Sequence, residues 1–403
     1  MFTPPLEQIL NLAQLRELAR DVLPRGMFEY VDRGTEDEVL LRENRDAFER
    51  IRLRPRVLVD VSGRSAKVKL FGKELSLPMA VAPTGAAGLM YHNGEVEIAR
   101  AAAKAGIPFS LSTYSINSME QVADEAGGQL WFQLYMWPDR AMSYQLVARA
   151  RSAGYEALIT TVDTPTGPNR EYNARNGFSL PFHINRHNVW DLAAHPRWLF
   201  GVMGRYLATS GMPRLENLPD ALRQSLAAKG PKRPQLPKSD SLTWQDLREV
   251  RRIWDGPLMV KGILHAEDAR MALACGADGV IVSNHGGRNL DCAVASIDAL
   301  PEIVEAVGHR AEVMLDSGIR RGSDIAKALA LGAKAVLVGR APLWGVAAAG
   351  ERGAARAIAI LADELDRSMA FLGVPSLDAL HCLQRSGHAA NWPINPPSKG
   401  SAP

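Results

Sequence analysis

The sequence predicts a closed eight-stranded parallel α/β barrel, the (β/α)8 or TIM-barrel architecture, with an N-terminal helical cap and a long insertion after strand four. Three observations carry this. From Leu77 onward, eight short apolar runs alternate with stretches of helical period. The runs are apolar at successive positions, as strands buried on both faces are. The stretches between them, such as GEVEIARAAAKAG and SDIAKALALGA, end near Gly, as helix C-termini do. Strands that alternate with helices imply βαβ crossovers and a parallel sheet, and eight such units close it. The competing architecture, a doubly wound open sheet, calls for an early GxGxxG turn, which is missing.

In chain order, residues 1–76 read as the helical cap followed by a crossing segment, RIRLRPRVLVDVS, whose β-branched residues suggest a short strand or two closing the barrel bottom. The expected strands are 79–82, 109–112, 131–135, 157–163, 258–261, 280–284, 313–316 and 335–339. The barrel therefore occupies 77–165 and 242–372, and 384–403 forms a tail. Residues 166–241 stand where one βα loop belongs, and loops this long are uncommon and usually functional. Their first part mixes Trp190, Trp198, Leu199, Phe200, Val202, Met203 and Tyr206 with Arg186, Arg197, Arg205 and Arg214. Such a segment fits a membrane interface, or packing on its own barrel or a neighbouring subunit; periodicity does not separate these. The following AAKGPKRPQLPKSDS is Pro- and Lys-rich and reads as mobile.

Composition narrows the class. The 403 residues are 46% hydrophobic and 23% charged, which is ordinary for a globular chain, and a net charge of +3 demands no nucleic-acid partner. Cys275, Cys292 and Cys382 are odd in number and form no CxxC, so neither a disulfide framework nor a metal site is expected, and the reading is a reducing cytosol. No signal peptide or membrane-spanning run is expected either.

In an α/β barrel, chemistry gathers at the C-terminal ends of the strands, so the residues that end each apolar run are the candidates. They are Ala82, Pro83, Thr84 and Gly85 after strand one, then Ser112, Thr113 and Tyr114, then Gln133 and Tyr135, then Thr161 and Asp163. Strand five supplies Lys261, strand six Ser283, Asn284 and His285, strand seven Asp316, Ser317 and Gly318, and strand eight Gly339 and Arg340. DSGIRRGSD offers Gly318 for close backbone approach, Arg320 or Arg321 for charge, and a helix N-terminus capped near Ser323. With Gly339 and Arg340 on the adjacent strand end, this suits a phosphate; the plainer reading is a helix cap with solvated arginines. Lys261 closes an apolar strand where an unpaired ammonium is costly, so it should face an anionic or electron-rich ligand, or else a structural carboxylate. His285 exchanges a proton near neutral pH, Arg288 clamps a carboxylate, and Asp163 can orient the imidazole. Together they fit proton abstraction beside a carboxylate, against the plainer reading of a structural histidine.

These residues resemble the FMN-dependent α-hydroxy acid dehydrogenases and oxidases. SNHGGRNLD is similar to that family's signature, with Asn289 where Gln is usual. The resemblance runs from about Leu23 to Leu383 and includes DRGTEDEVLLRENRDAF, LRPRVLVDVS, APTGAAG, LSTYS, WFQLY, TVDTP, VKGI, DSGIRRGSDIAKALALGA and VGRA. It implies FMN as cofactor and oxidation of an L-2-hydroxy acid, mandelate-like or lactate-like, to the 2-keto acid. Carried over residue by residue, it implies His285 as base with Asp163 as its ion-pair partner, Arg170, Arg288 and Tyr30 at the substrate carboxylate, and Tyr135 at the hydroxyl. It places Ala82, Pro83, Thr84, Ser112, Gln133, Thr161 and Lys261 around the flavin ring, with Lys261 stabilising the charge that develops there. Ser283, Asp316, Gly318, Arg320, Gly339 and Arg340 are implied at ribityl and phosphate. The glycines after His285 are expected to let flavin and substrate approach.

Gly85 stands where the family's oxidases commonly carry alanine and its dehydrogenases glycine, which implies a quinone or cytochrome acceptor. The alternative is an oxidase that uses O2 and releases H2O2. HPRWLFGVMGRYLATSGMPRLENL is similar to the membrane-associating segment of the mandelate-oxidising members, which implies a peripheral location on the cytoplasmic side of a membrane. The resemblance also implies a homotetramer. Tyr114 stands where several oxidases carry tryptophan, and with Gly85 it points to a roomier substrate pocket. A flavin barrel for another substrate class is disfavoured by the joint presence of Tyr30, Arg170 and Arg288. A flavin-binding scaffold with a vestigial site is disfavoured because no catalytic residue is missing.

Overall fold

Eight parallel strands close one barrel in the computed structural model, which describes residues 5–180, 182, 184–218, 240–381 and 385–386. They are β1 (Met79–Thr84), β2 (Phe109–Ser112), β3 (Leu130–Leu134), β4 (Ala157–Thr161), β5 (Leu258–Ile263), β6 (Gly279–Val282), β7 (Glu312–Leu315) and β8 (Ala335–Val338). Each pairs with its successor, and β8 returns to β1 with Val336 opposite Met79 and Val338 opposite Val81. Cys382, all but the last two residues of the Pro- and Lys-rich stretch, and most of the expected tail lie outside the described residues.

Ala80, Ala82, Trp131, Ala157, Ile159, Met259, Ile281, Met314, Ala335 and Leu337 pack together inside the barrel. Side chains alternate by two along a strand, so the same inward phase continues to Thr84, Gln133, Thr161, Lys261, Ser283, Asp316 and Gly339. The opposite phase packs outward on the helices in the larger core. Apart from Ser110 in β2 and Glu312 at the start of β7, the inward phase stays apolar until the C-terminal end of each strand, where it turns polar or small. β4 and β6 end earlier than the apolar runs suggest, at Thr161 and Val282, so Asp163 and His285 stand just past the ladder.

The barrel bottom is plugged by a hairpin, Val68–Leu70 paired with Lys73–Leu75, whose Leu70 and Leu75 join the interior cluster. Phe71 at its turn meets Trp131 edge-on at 6.4 Å. This corrects the expectation that RIRLRPRVLVDVS closes the bottom. Of that segment only Arg52–Leu53 is a strand, pairing with Arg385–Ser386, and Val57 and Leu58 are exposed. β-branched residues mark extended backbone and not where it docks.

Three helices, α1 (Leu12–Val22), α2 (Arg25–Asp32) and α3 (Val39–Arg50), form the cap. The Asn11 side chain caps α1 by accepting from Gln14 N–H. The insertion forms a short helix, Glu171–Asn176, and then a run of helical segments from Val189 to Thr209. That run has two apolar faces. Leu192, Trp198, Val202, Met203 and Tyr206 are buried against the barrel, where Trp198 Nε1 donates to the Leu89 carbonyl at 2.7 Å and Tyr206 Oη accepts from Asn93 N–H at 3.0 Å. Trp190 (82% exposed), Phe200 (72%) and Leu207 (58%) face outward. Among the described residues, no helix is long and apolar enough to cross a membrane.

Candidate active site

At the C-terminal mouth of the barrel lies a cavity of about 370 Å³, within the usual range for small-molecule sites. Of the residues singled out from sequence, Tyr30, Ala82, Pro83, Thr84, Ser112, Tyr135, Arg170, Lys261, His285, Arg288, Asp316, Gly318, Arg320, Gly339 and Arg340 line it. Gln133, Asp163 and Ser283 stand directly behind, joined to lining residues by hydrogen bonds from Ser112 Oγ to Gln133 Oε1 (3.1 Å), His285 Nδ1 to Asp163 Oδ1 (2.8 Å) and Lys261 Nζ to Ser283 Oγ (2.8 Å). Thr161 is buried at the end of β4, its hydroxyl without a protein partner.

His285 is oriented from three sides. Its backbone φ is +60°, and its N–H donates to Ser283 Oγ at 3.1 Å. Because Nδ1 donates to Asp163, Nε2 carries the free lone pair, and it faces Tyr135 Oη at 3.4 Å. Burial lowers the His285 pKa; Asp163 opposes this, while Lys261 and Arg170 reinforce it, so the ring is neutral at pH 7 and able to take a proton. Burial works against the Asp163 charge, but His285 and Lys261 hold its pKa below the usual carboxylate value. Lys261 is buried and pairs with Asp316 Oδ2 at 2.9 Å. Burial opposes its charge, yet Asp316 and Asp163 outweigh that and raise its pKa. The carboxylate-paired reading of Lys261 is thus realised in Asp316, and the residue also lines the cavity.

Gly286 and Gly287 continue the left-handed backbone at φ +72° and +70°. A Cβ at Gly286 would lie 2.8 Å from Arg340 Nη1, and one at Gly287 would lie 2.8 Å from Leu41 N. Side chains at these two positions would thus crowd Arg340 and helix α3, a demand on the glycines that the sequence does not show, while Gly286 also lines the cavity.

The other end of the mouth is strongly basic. Arg170 and Arg288 both stand over the Tyr30 ring, at 5.8 and 5.1 Å from its centroid. Burial and then the Arg288 charge bring the Arg170 pKa down to about 10, and its Nε is buried without a protein partner. Two guanidiniums with an unused buried donor form a site that an anion would relieve. Phe178, 4.9 Å from Tyr30 ring to ring, and Leu180 complete an apolar wall with Gly85 and Tyr114. Burial pushes the Tyr114 phenol up to about 12, and its ring stacks on Tyr135 at 4.8 Å.

At the expected phosphate end, Arg320 stacks over Trp344 at 4.9 Å, and burial brings its pKa down to about 10. Arg340 donates through Nε to the Val31 carbonyl and through Nη2 to the carbonyls of Arg33 and Gly286. The helix after β7, α4 (Gly322–Ala330), begins two residues earlier than a cap at Ser323 would place it; Arg321 is its cap, with Asp324 accepting from the N–H groups of Arg320 and Arg321. At φ +91°, Gly318 is forced by α3, since a Cβ there would lie 2.5 Å from the Asn44 carbonyl oxygen.

A planar ring bearing carbonyls and ring nitrogens, linked to a phosphate, suits this donor set. Gln133 Nε2 and Thr161 Oγ1 are buried without protein partners, Lys261 supplies a charge, and Gly339 leaves a gap where a Cβ would sit 3.5 Å from Thr84. The family model for FMN-dependent dehydrogenases matches residues 19–385. The chain belongs to the FMN-dependent dehydrogenase family. Its cofactor is FMN, and its reaction is the FMN-dependent oxidation of a 2-hydroxy acid. Among relatives, (S)-mandelate dehydrogenase of Pseudomonas putida is 40% identical over 391 residues, 96% of this chain and 97% of that protein. L-lactate oxidase of Nostoc sp. is 43% identical over 373 residues, 91% and 95% of the two chains. A crystal structure of the monotopic membrane protein (S)-mandelate dehydrogenase superposes with a TM-score of 0.85 at 40% identity, covering 94% of this chain and 99% of that one.

Sequence reading missed several lining residues of this family member. Phe178 and Leu180 sit in the insertion, where no periodicity marks an inward face. Thr164 follows Asp163 on the β4 loop and bonds to it at 3.1 Å, a contact that only the folded loop shows. The carbonyls of Val31 and Arg33 bind arginines, and no side-chain pattern announces a backbone ligand.

Proposed function

We propose that this enzyme oxidises the L enantiomer of a mandelate-like 2-hydroxy acid, with lactate-like acids as smaller alternatives, and passes the electrons to a quinone or cytochrome. One observation carries this reading: a neutral imidazole held by a carboxylate faces the same cavity as a half-buried pair of arginines. Arg170 and Arg288, with Tyr30, take the substrate carboxylate. Tyr135 and His285 Nε2 face the reacting CH–OH group of the substrate, one proton of which moves to Nε2, and Asp163 stabilises the resulting imidazolium. FMN, when bound, would take up the two electrons and with them the second hydrogen of the CH–OH group, and Lys261 supplies the fixed positive charge where negative charge gathers. Ala82, Pro83, Thr84, Ser112, Gln133 and Thr161 hold the ring, and Ser283, Asp316, Gly318, Arg320, Gly339 and Arg340 the ribityl and phosphate. The wall of Phe178, Leu180, Tyr114 and Gly85 favours an aryl side chain.

Gly85 supports a non-oxygen acceptor, whereas the likeness to an L-lactate oxidase supports O2. The outward face of the Val189–Thr209 run supports a peripheral membrane location, in keeping with the monotopic relative. Exposed Val57, Leu58 and Phe371, brought together by the bond from Arg56 N–H to the Leu372 carbonyl, support a homo-oligomer, the tetramer that light scattering would detect.

The deciding experiment adds L-mandelate, L-lactate and longer L-2-hydroxy acids to the yellow purified protein without oxygen. Bleaching fastest with mandelate is expected; a flavoprotein that none of them bleaches rules the reading out. Readmitting either O2 or a soluble quinone then identifies the acceptor.

A further inference from the structure

The loop after β6 carries a residue that the reaction above does not use, Asn289. Its side chain lines the cavity yet reaches across to the β4 loop, where Nδ2 donates to the Asp163 carbonyl at 2.8 Å and to Thr164 Oγ1 at 2.9 Å. A carbonyl can only accept, so the amide nitrogen is fixed on this side. With one lone pair of the Thr164 hydroxyl taken by Asn289, its proton points to Asp163 Oδ1, 3.1 Å away. That same oxygen accepts from His285 Nδ1 at 2.8 Å. Four side chains thus form one connected network, in which Asn289 donates to Thr164 and both Thr164 and His285 donate to the same oxygen of Asp163.

We infer that Asn289 is a positioning residue: through Thr164 it fixes the hydrogen bonding of Asp163 and thereby sets how readily His285 takes a proton. This rests on the reading of His285 as the base. The reason is the number of donors on one oxygen. Asp163 Oδ2 is buried without a partner, so Oδ1 bears the hydrogen-bonding load of the carboxylate. A hydroxyl donated to Oδ1 disperses its charge and weakens its pull on the imidazole proton. Freeing Thr164 leaves more charge directed at His285 and makes the ring more basic. The other charged and titratable groups facing His285 are Lys261 on β5, Arg170 on the insertion and Tyr135 past β3, and none of them touches Asn289. Asn289 therefore acts on His285 through Asp163 and Thr164 alone.

The test compares the flavin-loaded wild type with Asn289→Ala, Asn289→Gln, Thr164→Val and the Asn289→Ala/Thr164→Val double variant. It measures kcat and KM for L-mandelate against pH, and the titration of the His285 ring by 15N NMR in the same preparations. On the acid limb Asn289→Ala should lower kcat about tenfold, because a more basic ring is already protonated there and the Thr164 bond to the charged Asp163 that it frees is worth at least that factor, with a smaller change in KM. It should also move the acid limb and the His285 titration upward together. Thr164→Val should give the same shift, the double variant no further one, and Asn289→Gln, which keeps the donor amide, should return toward wild type. An unmoved acid limb in Asn289→Ala, or additive effects in the double variant, overturns the inference; lower thermal stability alone would mark Asn289 as a loop staple. His285→Gln keeps the failures apart. If it still turns over, the base reading falls and this inference with it. If it is dead while Asn289→Ala titrates as wild type, only this inference falls. Should Asn289→Ala not fold, Thr164→Val against Thr164→Ser asks the same question one link along.

Discussion

Arg288 and Arg340 share two ligands. Arg288 Nη1 donates to the carbonyls of Val31 (3.5 Å) and Arg33 (3.0 Å), and Arg340 donates to the same two, each at 3.1 Å. Both carbonyls lie at the C-terminal end of α2, the negative end of that helix, so one turn of the cap neutralises part of two guanidiniums from two different strand ends. The substrate end and the phosphate end of the cavity are thereby tied to one piece of the cap. Arg340→Lys keeps the charge and loses the forked geometry. At roughly 1.5–3 kcal/mol for a hydrogen bond to a charged group, FMN affinity should fall about tenfold or more, measured by fluorescence titration of apoprotein with FMN.

Arg170 stands half-buried beside another guanidinium with its Nε buried and unpartnered, a cost that an anion relieves. Arg170→Met should leave thermal stability equal or higher while raising KM for L-mandelate by on the order of a hundredfold. Oxalate, a planar carboxylate that cannot be oxidised here, should raise the melting temperature of the wild type and not that of the variant. A fall in stability without ligand would contradict the strained-pair account.

The low pKa of His285 fixes the sign of two pH effects. The ring is neutral above its folded value, which burial holds below the ordinary 6.5. kcat/KM should therefore be flat near neutrality and fall as pH drops through that lower value. The contribution to stability has the same direction: it is fully present above the unfolded pKa and is lost as pH falls toward the folded one, because only the unfolded chain binds the proton in between. Asp163→Asn removes the group that opposes the depression, so activity should fall by roughly 10²–10⁴ with FMN still bound.

Gly85 has little room to spare. A Cβ there would lie 3.3 Å from both Tyr30 Oη and the Tyr114 carbonyl oxygen. Gly85→Ala should push Tyr30 and Tyr114 apart at a cost of about 1–3 kcal/mol and narrow the aryl wall. The ratio of kcat/KM for mandelate over lactate should drop about tenfold; an unchanged ratio would show that the side chain of the substrate lies elsewhere.

The insertion can be tested without breaking the core. Removing the whole run would strip Trp198 from the Leu89 carbonyl and Tyr206 from Asn93. Replacing only Trp190, Phe200 and Leu207 with Ser touches the outward face. At roughly 1.5–3 kcal/mol per apolar side chain buried in a bilayer surface, sedimentation with anionic vesicles should weaken by on the order of a hundredfold or more while turnover is kept.

The barrel and its strand-end residues were legible in the sequence because strand burial is local: an apolar run buried on both faces declares itself, and the polar residues that end it fall at the mouth by alternation, as Lys261, Asp316 and Gly339 do. His285, Arg288 and Asp163 could be named, with the signature stretch around them, for the same reason. What plugs the barrel bottom, which glycines serve helix packing, and which carbonyls hold Arg288 and Arg340 were decided by contacts between segments far apart in the chain. Asn289 shows the divide most plainly. The sequence marks it as a departure from the family signature, but its partners lie 125 and 126 residues away, and only the fold brings its amide to Thr164 and Asp163.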